Sequence, residues 1–318
     1  MKVLVTGGAG FIGSHLAEAL VERGDDVRIV DCLTDYYDPS VKETNLAGLV
    51  GRAQIVRADL RSDDLGPLLD GVEVVFHEAG QPGVRLSWAD GFPAYETNNV
   101  LATQRLLEAA RSHDLRAFVF ASSSSVYGDA ERFPTTEDDL PRPRSPYGVT
   151  KLAGEHLCAA YAANWGIPTV ALRYFTVYGP RQRPDMAFHR LCRAVVDGRP
   201  FPIYGDGSQI RDFTYVADVV AANLAAARGE LPPGTVLNVA GGTSISLAGV
   251  IELLEGLSGT AVPIERHPVQ SGDVVRTGGS TTRINELLGW YPRTDLRQGL
   301  RNQLDWHTAL AAAVDVTP

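Results

Sequence analysis

The first half of the chain alternates short apolar runs with longer segments whose apolar positions recur every three or four residues. The apolar runs predict strands and the longer segments predict helices. The predicted strands are 3–6, 27–31, 55–59, 72–77, 117–122 and 169–174, and the main helices between them are 11–23, 100–112 and 147–164. Strands without clean alternation, separated by helices, predict βαβ units, so we expect an α/β fold with a doubly wound parallel sheet.

The pattern changes after about residue 178, where prolines and glycines become frequent and the predicted helices shorten, as at 187–196 and 247–257. We therefore expect residues 1–178 to form a nucleotide-binding domain, with room for later segments to return to its sheet. Residues 179–318 are expected to form mainly a smaller α+β lobe that binds the substrate.

Composition and charge narrow the choice of partners. The chain has 318 residues and a formal net charge of −9, which disfavours nucleic acid as a partner. No apolar run approaches the roughly 18 residues of a membrane span. The cysteines Cys32, Cys158 and Cys192 are odd in number and far apart, so we expect free thiols in a reducing cytoplasm, with neither a disulfide framework nor a metal site.

A glycine-rich segment, GGAGFIG, follows the first predicted strand and opens the first helix. Its glycines let the backbone approach a pyrophosphate, which the free N–H groups of the helix then bind. The predicted contacts are Gly7, Gly10, Phe11, Ile12 and Gly13.

An acidic residue, Asp31, ends the second predicted strand. A carboxylate in this place binds the adenosine ribose hydroxyls and repels a 2′-phosphate, so the sequence predicts NAD rather than NADP. Asp59 and Leu60 end the third predicted strand, where they could contact adenine; an ordinary solvated loop is an equally good interpretation.

Tyr147 and Lys151 lie four residues apart, on one face of a predicted helix. A tyrosine with its usual pKa near 10 is a poor base, and a neighbouring ammonium group would lower that pKa. Taken alone, the spacing is also typical of a structural pair. Ser122 to Ser125 end the fifth predicted strand, where ligands bind in open α/β sheets, and a serine hydroxyl there could bind a substrate oxygen.

In this order the motifs resemble the extended short-chain dehydrogenase/reductase family, in its nucleotide-sugar epimerase branch. The matching segments are VTGGAGFIGSHL, HEAGQPGVR, SSSSVYG, SPYGVTK, RYFTVYGPRQRPDMA and GDGSQIRDFTYVADV. The resemblance implies a Rossmann-type domain that holds NAD tightly, a lobe that holds a nucleoside diphosphate sugar, and a homodimer. Glu78 departs from the family, which usually has an apolar residue there.

The resemblance also assigns roles to individual residues. It implies that Tyr147, Lys151 and a serine among Ser123, Ser124 and Ser125 are catalytic. The further residues expected to face the cofactor are Ala79, Gly80, Gln81, Asn98 and Phe175.

Single positions separate the reactions that this family catalyses. The resemblance implies that related dehydratases and decarboxylases carry acidic residues before the Val-Tyr-Gly motif. This chain has Ser124 and Ser125 there. Both reactions are therefore disfavoured, and 4-epimerisation remains. Thr176 and Arg183 resemble the UDP-glucuronate 4-epimerase subgroup, since an arginine can hold a carboxylate by two hydrogen bonds.

The other candidate substrate residues are Arg85 for the carboxylate, Arg211 and Arg276 for the phosphates, Asp273 for the ribose, Tyr204 for the uracil, and Ala187 and Phe188. Tyr204 could equally be a core residue. The expected activity is conversion of UDP-glucuronate to UDP-galacturonate, and UDP-glucose/UDP-galactose 4-epimerisation is the main alternative. A non-catalytic NAD(H)-sensing protein on the same fold would not need Tyr147 or Lys151.

Overall fold

The computed structural model describes residues 1–268 and 276–315. The strands are β1 (Lys2–Thr6), β2 (Asp26–Asp31), β3 (Gln54–Arg57), β4 (Val74–His77), β5 (Ala117–Ser123), β6 (Thr169–Tyr174), β7 (Thr176–Tyr178), β8 (Phe201–Tyr204), β9 (Ile210–Tyr215), β10 (Thr235–Val239), β11 (Ser244–Ser246) and β12 (Ile264–His267). The helices are α1 (Phe11–Glu22), α2 (Pro39–Leu46), α3 (Gly66–Leu69), α4 (Phe92–Tyr95), α5 (Ala102–Ala110), α6 (Pro146–Trp165), α7 (Ala187–Asp197), α8 (Val216–Ala226), α9 (Leu247–Ser258), α10 (Thr282–Leu288) and α11 (Leu296–Asp315).

Seven parallel strands form the main sheet, in the order β10-β6-β5-β4-β1-β2-β3. The predicted α/β class and parallel sheet are confirmed. Apolar residues from α1, α8 and α10 pack on one face of the sheet, and apolar residues from α3, α5 and α6 pack on the other. Burial on both faces explains why the strand sequences are apolar throughout rather than alternating.

Strand β10 and helix α8 come from the second half of the chain and join the first domain. Strand β10 pairs with β6 at the edge of the main sheet. Helix α8 contributes Val219 and Ala222 to the same core as Leu16 of α1. The polypeptide therefore leaves the first domain after β6 and returns to it with α8 and β10, and later with α10.

The smaller lobe has its own core, to which α7, α9 and α11 contribute. Its strands form a three-stranded sheet, β11-β9-β7, and a two-stranded sheet, β12-β8. Strand β7 begins two residues after β6 ends, so this lobe starts at the carboxyl edge of the main sheet. Within the described residues, no helix combines the length and apolar character that crossing a membrane requires.

Candidate active site

A cleft opens at the carboxyl edge of the main sheet, where the strand order reverses between β1 and β4. Chain segments following both strands, including Gly7 and Glu78, line it. In open α/β sheets ligands bind at such a reversal because the two connections leave in opposite directions and leave a crevice between them.

The glycine-rich loop between β1 and α1 forms one wall of this cleft. Gly7 has a φ of +67°, and a Cβ there would lie 2.6 Å from the backbone nitrogen of Ala79. A Cβ on Gly13 would overlap the Gly7 carbonyl oxygen. Glycine is therefore required for this close packing. Gly10 precedes α1 and provides no side-chain cap, so the first N–H groups of the helix remain available to an anion.

Asp31 lies at the end of β2, beside the glycine-rich loop. Its carboxylate accepts hydrogen bonds from the backbone nitrogens of Ala9, at 3.1 Å, and Leu33, at 2.8 Å. These bonds fix the orientation of the carboxylate at the cleft wall. Asp59 follows β3 and is held by two hydrogen bonds to the Nε of Arg61, at 2.9 and 3.0 Å.

With one exception, the residues expected to face the cofactor line this cleft: Gly7, Gly10, Phe11, Ile12, Gly13, Asp31, Asp59, Leu60, Ala79, Gly80, Gln81, Asn98, Tyr147 and Lys151. The exception is Phe175. Its side chain is buried in a separate cluster with Val126, Tyr127 and Ala240. The Phe175 ring therefore packs away from this cleft, and the expected contact of Phe175 with the cofactor stays a prediction.

The residues present fit NAD. The loop offers backbone N–H groups and the helix end for a pyrophosphate, and Asp31 offers a carboxylate for ribose hydroxyls. Lys151 and Tyr147 lie in the same cleft, on helix α6. This set combines a dinucleotide-binding wall with groups that exchange protons.

Tyr147 and Lys151 begin α6, which Ser145 caps by accepting a hydrogen bond from Gly148 N at 3.1 Å. Burial raises the pKa of Tyr147, while the nearby Ser123 side chain and the Arg183 charge oppose the rise. Burial therefore has the larger effect in the protein alone, and the pKa of Tyr147 is raised where the sequence predicts that it is lowered.

The ammonium group of Lys151 lies inside the cleft and donates to the carbonyl oxygen of Ala121 at 2.9 Å. Burial lowers the pKa of Lys151 to about 8, and the charge of Glu78 opposes that change. Lys151 is therefore held by the end of β5, directly beside the serine segment.

The four consecutive serines separate into different roles. Ser123 is the serine whose side chain influences the Tyr147 hydroxyl, and it accepts a hydrogen bond from Ser125 N at 3.1 Å. Ser122 donates to the carboxylate of Glu155 instead. Ser124 and Ser125 are half-buried in a short 3₁₀ turn after β5. Among the three serines expected to be catalytic, the geometry favours Ser123.

Asn99 occupies a position that the sequence interpretation missed. Its side chain accepts from Gln81 N at 2.6 Å and donates to Thr150 Oγ1 at 2.9 Å, which ties the cleft wall to α6. Asn98 lines the cleft and donates to Ala94 O at 2.7 Å. Both residues lie in a π-helical turn over 96–101, whose wider spacing shifts side-chain directions away from the α-helical pattern.

Arg183 reaches the cleft from the smaller lobe, on the segment that links β7 to α7. It lines the same cleft as Tyr147 and Lys151. Asp185 holds the guanidinium by two hydrogen bonds of 3.0 Å, from Nε and from one terminal nitrogen. Tyr36 donates to the same carboxylate at 3.4 Å. A fixed, partly exposed cation therefore lies near the Tyr147 hydroxyl.

The remaining candidate substrate residues lie on the smaller lobe or at its boundary. The guanidinium carbon of Arg85 stands 4.5 Å from the centre of the Tyr204 ring, so these two predicted residues meet. Arg276 pairs through its backbone with Ile210, the neighbour of Arg211, and its side chain lies over Phe133. Thr176 is half-buried at the start of β7. None of these five lines the cleft that holds Tyr147.

Ala187 and Phe188 begin α7. Ala187 is exposed, whereas Phe188 is only 1% exposed and packs between Tyr178 and Phe213. The Phe188 ring therefore belongs to the core of the smaller lobe, and the expected contact of Phe188 with a substrate stays a prediction. Asp273 lies outside the described residues.

Several cleft residues had no signal in the sequence. Lys42 of α2 lines the cleft and donates to the carbonyl oxygen of Thr34 at 2.7 Å. Tyr36 and Tyr37 line it from the loop after β2. Only the folded connection after β2 places these residues together. The carboxylate of Glu78, the departure from the family pattern, accepts a hydrogen bond from the Tyr174 hydroxyl at 2.7 Å.

Comparison with known proteins agrees with this site. Residues 3–240 match the NAD dependent epimerase/dehydratase family. A Bacillus subtilis protein described as an uncharacterized UDP-glucose epimerase, YtcB, is 44% identical over 98% of this chain and 99% of its own. The chain therefore belongs to this family of nucleotide-sugar enzymes, and the predicted NAD cofactor is confirmed.

Two solved structures are similar over nearly the whole chain. UDP-glucuronic acid 4-epimerase from Bacillus cereus, bound to UDP-glucuronic acid and NAD, is 43% identical with a TM-score of 0.94, covering 98% of this chain and 100% of its own. MoeE5, solved with NAD and either UDP-glucuronic acid or UDP-glucose, is 44% identical with a TM-score of 0.89 and the same coverage.

Proposed function

We propose that this chain catalyses NAD-dependent 4-epimerisation of a UDP-sugar, converting UDP-glucuronate to UDP-galacturonate. The observation that carries the proposal is Arg183, a cation that faces the cleft of Tyr147 and Lys151 from the smaller lobe. The similarity to proteins named or solved as UDP-glucuronate 4-epimerases supports the same substrate.

The chain's own residues perform the acid–base part of this reaction. Tyr147 takes the proton of the sugar 4-hydroxyl and later returns it, and Ser123 holds the phenol oxygen in place. The ammonium group of Lys151 favours the ionised phenol. The cleft residues Gly7, Asp31 and Lys151 would hold NAD, which would supply the hydride acceptor and donor for C4.

Arg183 is proposed to prevent a side reaction, loss of carbon dioxide, to which only an acidic sugar is prone. Oxidation at C4 converts the uronic acid into a β-keto acid, which loses carbon dioxide when its carboxylate aligns with the new carbonyl. A guanidinium can hold the carboxylate plane by two hydrogen bonds and so prevent that alignment. Thr176 and Arg85 are proposed as further contacts to the acidic sugar.

The reactions that need an extra acid near the sugar are not proposed. Ser124 and Ser125 occupy the turn after β5, where the resemblance implies acidic residues in the related dehydratases and decarboxylases. A hydroxyl with an ordinary pKa cannot replace those groups near neutral pH.

The remaining roles are proposed as the resemblance assigns them. Arg211 and Arg276 bind the diphosphate, Asp273 the nucleoside ribose and Tyr204 the uracil, and Ala187 and Phe188 are further substrate contacts. Tyr204 is half-buried, with Arg85 over its ring, which leaves part of the ring available for stacking.

Purified protein incubated separately with UDP-glucuronate and UDP-glucose provides the test. We expect kcat/KM for the uronate to exceed that for the neutral sugar by at least about tenfold, the effect of one charge-assisted hydrogen bond. Faster turnover of UDP-glucose would favour UDP-glucose 4-epimerisation instead. The UDP-glucose complex of MoeE5 and the description of the Bacillus subtilis relative are the reasons to test that alternative.

A homodimer in the cytoplasm completes the proposal. Leu101, Val149 and Trp165 are exposed apolar residues on or next to α5 and α6, the two helices that we propose as the dimer interface. Light scattering should give twice the 34.2 kDa mass of one chain, and a single-chain mass would contradict the dimer. The buried thiols of Cys158 and Cys192 suit a reducing compartment, which cell fractionation would test.

A further inference from the structure

Glu78 is an acidic side chain in the cleft to which the proposed reaction gives no role. It follows β4 directly, and its backbone nitrogen donates to Thr6 O at 3.2 Å, beside the glycine-rich loop. The side chain is half-buried and lines the same cleft as Tyr147 and Lys151. When ionised, the Glu78 carboxylate therefore interacts electrostatically with the charged groups in the cleft.

Residues from two other elements hold this side chain. The Tyr174 hydroxyl, at the end of β6, donates to the Glu78 carboxylate at 2.7 Å. Asn223 of α8 donates to the Tyr174 oxygen at 2.8 Å and is itself fully buried. The carboxylate is thus positioned through a chain of buried hydrogen bonds rather than left free to turn into solvent.

The charges that face Glu78 are those of the catalytic end of the cleft. Burial raises the pKa of Glu78 to about 7, and the Tyr174 hydrogen bond and the Lys151 charge oppose that rise. Lys151 comes from α6 and Tyr174 from β6, and Arg183 lines the same cleft from the smaller lobe. Glu78 thus supplies a negative charge where Lys151 and Arg183 supply positive ones.

Reduction of the cofactor changes the charge at this end of the cleft. Two electrons and a proton, transferred as hydride, convert the cationic nicotinamide of NAD to its neutral form. Lys151 and Arg183 therefore favour the reduced form electrostatically, and a carboxylate favours the oxidised form. An epimerase must leave every turnover with its cofactor oxidised, since a keto sugar lost early would strand the enzyme in the reduced state.

We propose that the Glu78 carboxylate keeps the bound cofactor oxidised between turnovers by offsetting the positive charge of Lys151 and Arg183. The role concerns the cofactor alone and does not depend on which sugar the enzyme epimerises. It can therefore fail while the proposed function holds, and the reverse is also true.

The test is a redox equilibrium of the holoenzyme with a dye couple of known potential, without sugar. The ratio of reduced to oxidised bound cofactor is read from the near-ultraviolet absorbance of the reduced nicotinamide. At about pH 8, Glu78→Gln should raise this ratio by about fivefold at equal dye potential. Glu78→Asp, which keeps the charge, should stay within about twofold of the unchanged protein.

The pH dependence provides a second arm. Near about pH 6 the carboxyl of Glu78 is largely protonated, so the unchanged protein should approach the ratio of the Gln variant. Free NAD measured in the same buffers removes the proton dependence of the couple itself. Tyr174→Phe removes the hydrogen bond that favours the ionised Glu78 carboxylate. Its ratio of reduced to oxidised cofactor at about pH 8 should therefore lie between the ratios of the unchanged protein and of Glu78→Gln.

Three results would overturn the proposal. An unchanged ratio in Glu78→Gln at about pH 8 would remove the electrostatic role. Equal shifts in the Gln and Asp variants would assign the effect to packing rather than charge. A difference between Gln and the unchanged protein that is the same at both pH values would show that ionisation of Glu78 is not involved. Thermal unfolding of each variant verifies that it is folded.

Discussion

Tyr147 carries the proton chemistry of the proposed reaction through a single hydroxyl group. Its ring packs edge-on against Tyr95 with ring centres 6.1 Å apart, so phenylalanine can keep the packing and lose only the hydroxyl. We expect Tyr147→Phe to lower kcat for UDP-glucuronate by about 10²–10⁴-fold, the usual contribution of a general acid–base group. Steady-state kinetics measures this effect.

A matched control for this variant lies on the same helix. Tyr161→Phe also removes one hydroxyl from α6, but that hydroxyl donates to Glu108, away from the cleft. Its kcat should stay within about twofold of the unchanged protein. If Tyr147→Phe retained full activity, the proton would have to move through another group.

In the proposed reaction, Arg183 selects the acidic sugar by binding its carboxylate. Removing it by Arg183→Ala should lower kcat/KM for UDP-glucuronate by about 10–100-fold, the range of a charge-assisted hydrogen-bonded pair, with little effect on UDP-glucose. The keto acid then loses its restraint, so a decarboxylated UDP-pentose should appear among the products. Chromatography of the nucleotide sugars measures both effects.

Arg193→Ala is the control for loss of a positive charge nearby. This arginine is on α7 and pairs with Asp197 on the protein surface, so both activities should remain unchanged. Equal losses on both sugars in Arg183→Ala would mean that Arg183 supports the fold of the cleft and does not select the substrate.

Some residue positions could be predicted from the sequence because a motif constrains both backbone and side chain. Examples are Gly7, Gly10 and Gly13 after β1, Asp31, and the Tyr147–Lys151 pair, which line the cleft. Phe175 and Phe188 could not be placed, because adjacent residues of a strand or helix point to different sides and no motif says which side is buried.

Helix α6 connects the catalytic residues to the main sheet. Near its middle, Glu155 forms a buried ion pair with Arg173 of β6, with hydrogen bonds of 2.9 and 2.7 Å. Ser122 of β5 donates to the same carboxylate, and Arg173 also donates to the Tyr127 oxygen at 2.8 Å. This network fixes the helix against the two strands that end at the cleft.

Breaking this pair should destabilise the whole protein. Glu155→Gln leaves the Arg173 charge buried without a partner, which costs about 3–5 kcal/mol of the free energy of unfolding. Denaturant unfolding measures the loss. Glu131→Gln breaks the exposed pair with Arg142 and should cost about 1 kcal/mol or less. Similar losses in the two variants would show that the buried network is not a major source of stability.

At the level of elements, the predicted strands and helices of the first half were correct to within a few residues, since burial on both sheet faces makes their apolar runs distinct. The π-helical turn at 96–101 could not be predicted. Within it, Asn99 forms hydrogen bonds with Gln81 and Thr150, which are distant in sequence. Asn98, the residue of this turn that the sequence predicts, does line the cleft.

At the scale of the whole molecule, the proposed active site depends on the polypeptide crossing between lobes. The connection after β7 carries Arg183 back to the cleft, while β10 and α8 return to the main sheet. The sequence predicted two regions that differ in proline and glycine content and in helix length. It could not show which later segments return to the main sheet, because that depends on which sheet edge and helix face remain uncovered.

In the proposed reaction, hydrogen leaves C4 as hydride and returns to the same carbon. The experiment that tests this step uses UDP-glucuronate that carries deuterium at C4, and the product is analysed by mass spectrometry and nuclear magnetic resonance. The mechanism predicts that UDP-galacturonate keeps essentially all of the deuterium at C4. Loss of that deuterium to solvent during turnover would contradict the account, because it requires removal of the hydrogen as a proton.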